Sequence, residues 1–370
     1  MNRLSTIVFG TAFILFISIP IGLRLAGAPA QAFDAGARWP LVAPNGVFDS
    51  AFWDRISIEL RDQMPMRLDA IALESTIDIR IFRDPPSPTV LEGRDGWLFS
   101  TWSLPVPCEP PTESSELVGR LNGLLDMIQA TEREVQFLVA PDKPGMYGEY
   151  LTEELAARAE CSSARRTRLR TAIGEEPRPE ILDTWSLLEA SKHDLLYHPN
   201  DSHWNTRGLT IVVHELMERL APGLWDQNAL VTESGLHEGD LTRIRGLPSD
   251  VATTIYRVQR TGVEVSSQST AVADAPPLRS TTASGTAPLS EQRLFVLHDS
   301  FFFGSLSMLS QYYAEARFVD WTSATVDDII DGIAWADVVI VETVERHFHS
   351  RTEETLVAET TIERLRTALD

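Results

Sequence analysis

Two short stretches of this 370-residue sequence hold side chains whose types suit acyl transfer: Asn200-Asp201-Ser202-His203-Trp204 and His298-Asp299-Ser300. A serine hydroxyl is a weak nucleophile at neutral pH and needs a base, most often histidine. The base in turn needs a carboxylate on its other ring nitrogen to fix the tautomer and steady the imidazolium. Asp201 and His203, two residues apart on one loop, supply the base with its carboxylate, and Ser300 supplies the hydroxyl. Taken singly, each stretch also suits a plain helix cap, since Asp and Ser accept hydrogen bonds from the first N–H groups of a helix. Taken together, each supplies what the other lacks.

The elements that must position these groups follow from hydrophobic patterning. Leu294 to Leu297 reads as a strand, Phe301 to Ala314 as a helix, Arg317 to Trp321 as a strand, Val326 to Ala334 as a helix and Val338 to Val341 as a strand. That β-α-β-α-β run is right-handed by default. It puts Ser300 on a strand-to-helix turn, where the helix start and the backbone N–H of Phe301 offer donors to a developing oxyanion. Upstream, Val135 to Ala140 reads as a buried strand ending at Pro141, and Ile181 to Trp185 as another. From Trp204 to Leu220 the pattern is helical, with Leu209, Val212, Val213, Leu216 and Leu220 on one apolar face. Short apolar runs alternating with helices predict an α/β domain with a mainly parallel sheet. Residues 264–292 are rich in Ser, Thr, Ala and Pro and read as an exposed, flexible insertion.

Other residues offer secondary roles. Lys143, just past the Val135 to Ala140 strand, reads either as a cleft residue or as a solvated loop lysine, and Arg346 either as a pocket-rim cation or as surface. His198, Asp201 and His203 put three N/O donors on one loop without a clear fourth ligand, so neither a metal nor another cofactor is called for. A formal charge of −21 excludes nucleic acid as a partner, because neutralising phosphates takes clustered Lys and Arg. Arg3 precedes a charge-free apolar run from Leu4 to Leu23, long enough to cross a bilayer. Residues 1–27 therefore read as a signal-anchor or as a signal peptide cleaved near Ala30-Gln31-Ala32, followed by a linker with short amphipathic helices over 28–85 and the main domain over 86–370. The linker helices are marked by Phe48, Phe52, Ile56 and Leu60 and by the stretch from Met66 to Ser75. Cys108 and Cys161 fit an exported chain, either as a disulfide or as two buried thiols.

Six segments in collinear order carry a resemblance: GRDGWLF from Gly93, APDK from Ala140, DSHW from Asp201, GDL from Gly239, DSF from Asp299 and ADVVIVETVER from Ala336. With these the chain resembles the alginate O-acetylation proteins of the AlgX/AlgJ type. The resemblance implies an SGNH-hydrolase-like three-layer domain in which Asp-x-His precedes the nucleophilic serine, hence Asp201 and His203 as the dyad and Ser300 as nucleophile. It also implies a periplasmic enzyme tethered to the inner membrane. Such an enzyme takes acetyl from a multi-spanning membrane acyltransferase and passes it to an exopolysaccharide. The same triad also serves water, which would make a polysaccharide acetylesterase, and a non-catalytic scaffold of an export complex is a third reading. His298 departs from the pattern, standing where glycine is common, and the sequence resembles the anchored single-domain members rather than those with a carbohydrate-binding module.

Overall fold

The computed structural model describes residues 89–104, 108–110, 112–246, 250–270 and 278–369. The expected membrane segment over 1–27 and the linker helices over 28–85 lie outside the described residues. Among the described residues no helix is long and apolar enough to cross a membrane.

Among the described residues a short hairpin of β1 (Val90–Glu92) and β2 (Leu98–Ser100) comes first. The strands β3 (Glu134–Ala140) and β4 (Ile181–Leu182) follow, then an antiparallel ribbon of β5 (Leu230–Glu238) and β6 (Asp250–Val258). The last five strands are β7 (Val263–Thr270), β8 (Leu278–Gly285), β9 (Ser290–His298), β10 (Tyr313–Asp320) and β11 (Val338–Val344). Seven of the eleven strands among the described residues form one sheet in the order β4-β3-β11-β9-β10-β8-β7. Neighbours from β4 through β10 are parallel, and β8 and β7 close that edge antiparallel.

The apolar runs explain this order. β11 is buried at every position and Leu294 through Leu297 are 0% exposed, as expected of strands covered on both faces. Side chains alternate between the two faces. Leu294, Val296, Val338, Ile340 and Leu138 pack with Leu209, Val212, Val213 and Leu216 of the Thr206–Leu220 helix. Phe295, Leu297, Val339, Val341 and Phe137 pack instead with the Ser114–Gln129 and Val326–Trp335 helices. Helix, sheet and helix thus make the expected three layers of an SGNH-hydrolase-like domain. Local signals agree: Asn205 caps the first of these helices by accepting from Arg207 N and Gly208 N, and Thr325 with Asp328 forms a capping box at the start of Val326–Trp335.

Three expectations are corrected. The 264–292 stretch is not a flexible insertion where it is described: β7, β8 and the start of β9 lie in it, extending the sheet. An edge hairpin largely open to water needs few large apolar residues, and its valines and threonines favour extended backbone. The helix expected from Phe301 to Ala314 shrinks to Ser305–Leu309, because Tyr313 already pairs with Ser290 in the sheet. Only Ile181 and Leu182 of the Ile181 to Trp185 run are strand, since Asp183 accepts from Ser186 N and starts the Thr184–Ala190 helix. Cys108 and Cys161 form a disulfide across 53 residues, worth about 4 kcal/mol if the effect lies in unfolded-chain entropy.

Candidate active site

The site gathers where the parallel strands end: β9 runs into His298-Asp299-Ser300, β11 into Glu345-Arg346 and β3 toward Asp142-Lys143. This is where α/β sheets commonly place their ligands. The loop carrying Asp201 and His203 arches over from the Thr206–Leu220 helix, pinched by a bridge between Tyr197 and Trp204 and by Asn205 N donating to Leu196 O at 2.7 Å.

Lys143 holds that loop from beneath. Its Nζ, 2% exposed as a residue, donates to the carbonyls of Leu98, His198 and Asp201 at 2.8 Å and of Pro199 at 2.9 Å. The Trp97 and Phe99 rings flank it at 4.9 and 5.3 Å. Burial draws its pKa down to about 7, against the pull of Asp201 and Asp240. Four carbonyl oxygens aimed at one nitrogen need all three ammonium hydrogens. Lys143 is therefore neither a cleft residue nor a solvated loop lysine; it is a buried staple.

Asp201, His203 and Ser300 come together. The Asp201 Oδ1 lies 2.9 Å from His203 Nδ1 and also accepts the His203 N–H at 2.8 Å, while His203 Nε2 lies 2.9 Å from Ser300 Oγ. Because an ionised carboxylate only accepts, Nδ1 carries the proton and Nε2 presents its lone pair to the hydroxyl. Burial alone would raise the pKa of Asp201, but hydrogen bonds from His203 and His237 outweigh it and hold the carboxyl well below its usual range. Burial likewise pushes the His203 imidazolium down. The Asp201 hydrogen bond and charge, with Asp240, reverse this and hold its pKa above the ordinary 6.5. Ser300 is exposed and Asp201 buried, with His203 between them.

Asp299 shapes the turn. Its N–H donates to Glu342 Oε2 at 2.8 Å, its Oδ1 accepts Phe301 N–H at 2.9 Å, and its Oδ2 accepts Val344 N–H at 2.8 Å and Arg351 Nη1. Burial, with Asp299 beside it, drives the pKa of Glu342 well up. Phe301 is thereby corrected as an oxyanion donor, since its N–H is already committed to Asp299. Its ring lies 4.8 Å from His203 on one side and 5.3 Å from the Arg346 guanidinium on another, and its carbonyl accepts Trp204 Nε1. The Ser300 N–H makes no hydrogen bond among the described residues. Arg346 is ion-paired with Asp142, with its side chain only 12% exposed and its guanidinium over the Phe301 ring. His298 needs no glycine in its place, because its φ is not positive; its Nδ1 bonds the Asp299 carbonyl at 2.9 Å.

Two further groups touch the dyad. His237, on β5, lies with Nε2 2.8 Å from Asp201 Oδ2, and Asp240 N–H donates to the same oxygen at 3.2 Å. The Asp240 carboxylate accepts Ser202 N–H at 2.7 Å and approaches His203 Nδ1 at 3.5 Å. Burial, and then the charge of Asp201, raise the Asp240 pKa. Asp201, His203 and Asp240 present donor atoms within 4.8 Å of one another, but these atoms are engaged in hydrogen bonds, and His198 faces the His237 ring at 4.6 Å instead of joining them. The Gly239 to Leu241 segment had signalled this corner without a role. A Cβ on Gly239 would collide with the Asn200 carbonyl, so only glycine lets the two loops meet. No spacing or motif pointed to His237.

The family model described as SGNH hydrolase-like domain, acetyltransferase AlgX, matches residues 90–281, just over half of the chain. The chain belongs to this AlgX family. Asp201, His203, His237 and Asp240 fall inside the matched residues and Ser300 beyond them. Among solved structures, the O-acetyltransferase domain of Pseudomonas putida AlgJ is similar in fold, with a TM-score of 0.51 at 18% identity, covering 76% of this chain and 99% of that one. Bacillus cereus PatB1 aligns with a TM-score of 0.50 at 12% identity, covering 70% of this chain and 96% of that one. No curated protein matches in sequence. AlgX-family membership makes the protein an acetyltransferase-type enzyme in the broad sense.

Proposed function

We propose that this AlgX-family protein is a serine-dependent O-acetyltransferase that moves acetyl onto a hydroxyl of an exported polysaccharide through an acetyl-serine intermediate. The observation that carries the proposal is the hydrogen-bonded run from Asp201 through His203 to Ser300, 2.9 Å at each step, with its open end at the exposed hydroxyl. In the first half-reaction His203 Nε2 takes the Ser300 proton as Oγ bonds to the donor's acetyl carbon. The donor's oxygen then leaves with that proton. In the second half the sugar hydroxyl gives its proton to Nε2 and attacks the acetyl carbonyl, and Ser300 Oγ departs and regains the proton. The Ser300 N–H replaces Phe301 N–H as the backbone donor to the oxyanion, and the Arg346 guanidinium, paired with Asp142, lies across the Phe301 ring.

Family membership supports polysaccharide O-acetylation in the broad sense; an exopolysaccharide as acceptor and a multi-spanning membrane acyltransferase as acetyl source are part of the proposal itself. An inner-membrane tether through residues 1–27, with the enzyme in the periplasm, belongs to the same proposal. The exposure of Ser300 favours a second reading, a polysaccharide acetylesterase, because water can reach the same acyl-serine.

Purified protein incubated with an activated acetyl ester and candidate polysaccharides separates these readings. Acetyl gained by polymer supports the transferase, and acetate released from acetylated polymer supports the esterase. Ser300→Ala is expected to abolish either while leaving the thermal transition in place. Full activity in that variant would overturn the serine mechanism, and no acetyl movement by the wild type in either assay would leave the scaffold reading.

A further inference from the structure

We infer that His237 is a positioning residue for acyl transfer, fixing the plane of the Asp201 carboxylate from the side opposite His203. The inference rests on Asp201, His203 and Ser300 forming the reacting chain. Oδ1 of Asp201 is taken by His203, through Nδ1 at 2.9 Å and the backbone N–H at 2.8 Å. Were that the whole arrangement, the carboxylate could turn about its Cβ–Cγ bond and carry Oδ1 off the imidazole axis. His237 Nε2 at 2.8 Å and Asp240 N–H at 3.2 Å hold Oδ2 and stop that rotation. Since an ionised carboxylate only accepts, Nε2 of His237 is the donor.

The surroundings of His237 point to orientation rather than packing. Its side chain is 36% exposed, so it contributes little to any core. It sits near the end of β5, opposite Val251 of β6, on a ribbon outside the seven-stranded sheet. The ring rests against His198 at 4.6 Å, and His198 Nε2 in turn meets Thr253 Oγ1 of β6 at 3.3 Å. The carbonyl of that same His198 accepts from Lys143. Ribbon, loop and buried lysine therefore converge on one carboxylate.

The charge on Asp201 gives His237 a signature that mere structural support lacks. Losing a donor on Oδ2 concentrates the carboxylate's negative charge toward Oδ1, which favours the His203 imidazolium. The other groups facing His203 are Asp240, Ser300 and, across the Phe301 ring, Arg346; His237 itself faces Asp201 and the His198 ring. Asp240, Ser300 and Arg346 themselves are unaltered in the His237 variants.

The experiment measures kcat, KM and the pH profile of p-nitrophenyl acetate turnover for the full chain, with melting temperature, in the wild type, His237→Ala, His237→Gln and Ser300→Ala. His237→Ala is expected to lower kcat about tenfold, the scale of one lost hydrogen bond to a charged group, with KM little changed. Its acid limb moves to higher pH. His237→Gln, which keeps an N–H donor, restores most of kcat and returns the limb toward wild type. Unchanged kcat and pH profile in His237→Ala, against an inactive Ser300→Ala, overturns the inference while sparing the serine mechanism. A fall in melting temperature alone, with the profile unmoved and no rescue by Gln, also overturns it. Activity retained in Ser300→Ala overturns the mechanism beneath it.

Discussion

In the proposed mechanism the proton that leaves Ser300 goes to Nε2 of His203, 2.9 Å away, and the affinity of that nitrogen would set the pH at which the site works. Only the neutral imidazole can receive it. Burial depresses the imidazolium, but Asp201 and Asp240 hold its pKa above 6.5. A raised base pKa means that the imidazole stays protonated, and idle as a base, to higher pH than a free histidine would. The acid limb of kcat/KM for a small acetyl ester should therefore have its midpoint above pH 6.5 in the free enzyme, and a midpoint at or below that value would show that Asp201 does not act on His203 as the distances imply. The same shift stabilises the fold at low pH and loses that contribution as pH rises through the raised pKa. Activity and this part of stability thus run in opposite directions across one window.

Between residues and the molecule lie the joints between elements, and Lys143 is the joint on which the dyad loop depends. It binds β2 through Leu98 O to the loop through His198, Pro199 and Asp201, reaching both from the short helix Lys143–Met146 that follows β3. Lys143→Met keeps the stem and removes the donor, leaving buried carbonyls unpaired. A destabilisation of about 3–5 kcal/mol is expected, read as a lower denaturant midpoint, with acyl transfer lost at temperatures where the chain remains folded. Retained activity with wild-type stability would mean that the loop is held by its other contacts. This joint also shows what was legible beforehand. Strands β3, β9 and β11 and the Thr206–Leu220 helix announce themselves through apolar runs and period, because burial on two faces or on one stripe leaves a pattern in local sequence. Asp201, His203 and Ser300 were legible because their chemistry is complementary. Lys143 and His237 were not, since a lysine beneath a loop and a histidine on a ribbon acquire their roles only from chain 55 and 36 positions away. Phe301 misled for a related reason: the helix expected to start there starts at Ser305, so its N–H was free to turn back onto Asp299.

At the scale of the whole molecule the dominant quantity is a formal charge of −21. A field of that sign repels a polyanion approaching from bulk water and leaves a neutral glycan unaffected, and salt distinguishes the two. Raising ionic strength from roughly 10 to 150 mM shortens the screening length from about 30 to 8 Å, less than the width of the domain. For an acidic exopolysaccharide acceptor, KM should therefore fall severalfold over that range, while a neutral acceptor and the small acetyl ester should change by less than about twofold. Because the ester probes Ser300 without a polymer, its constancy separates long-range repulsion from any effect of salt on the His203 pair. A KM for the acidic polymer that rises with salt would mean that local positive charge outweighs the global field and attracts the polymer directly. Transfer rates for acidic and neutral acceptors, compared across ionic strength on the same preparation, decide whether the protein's overall charge or its site sets the choice of acceptor.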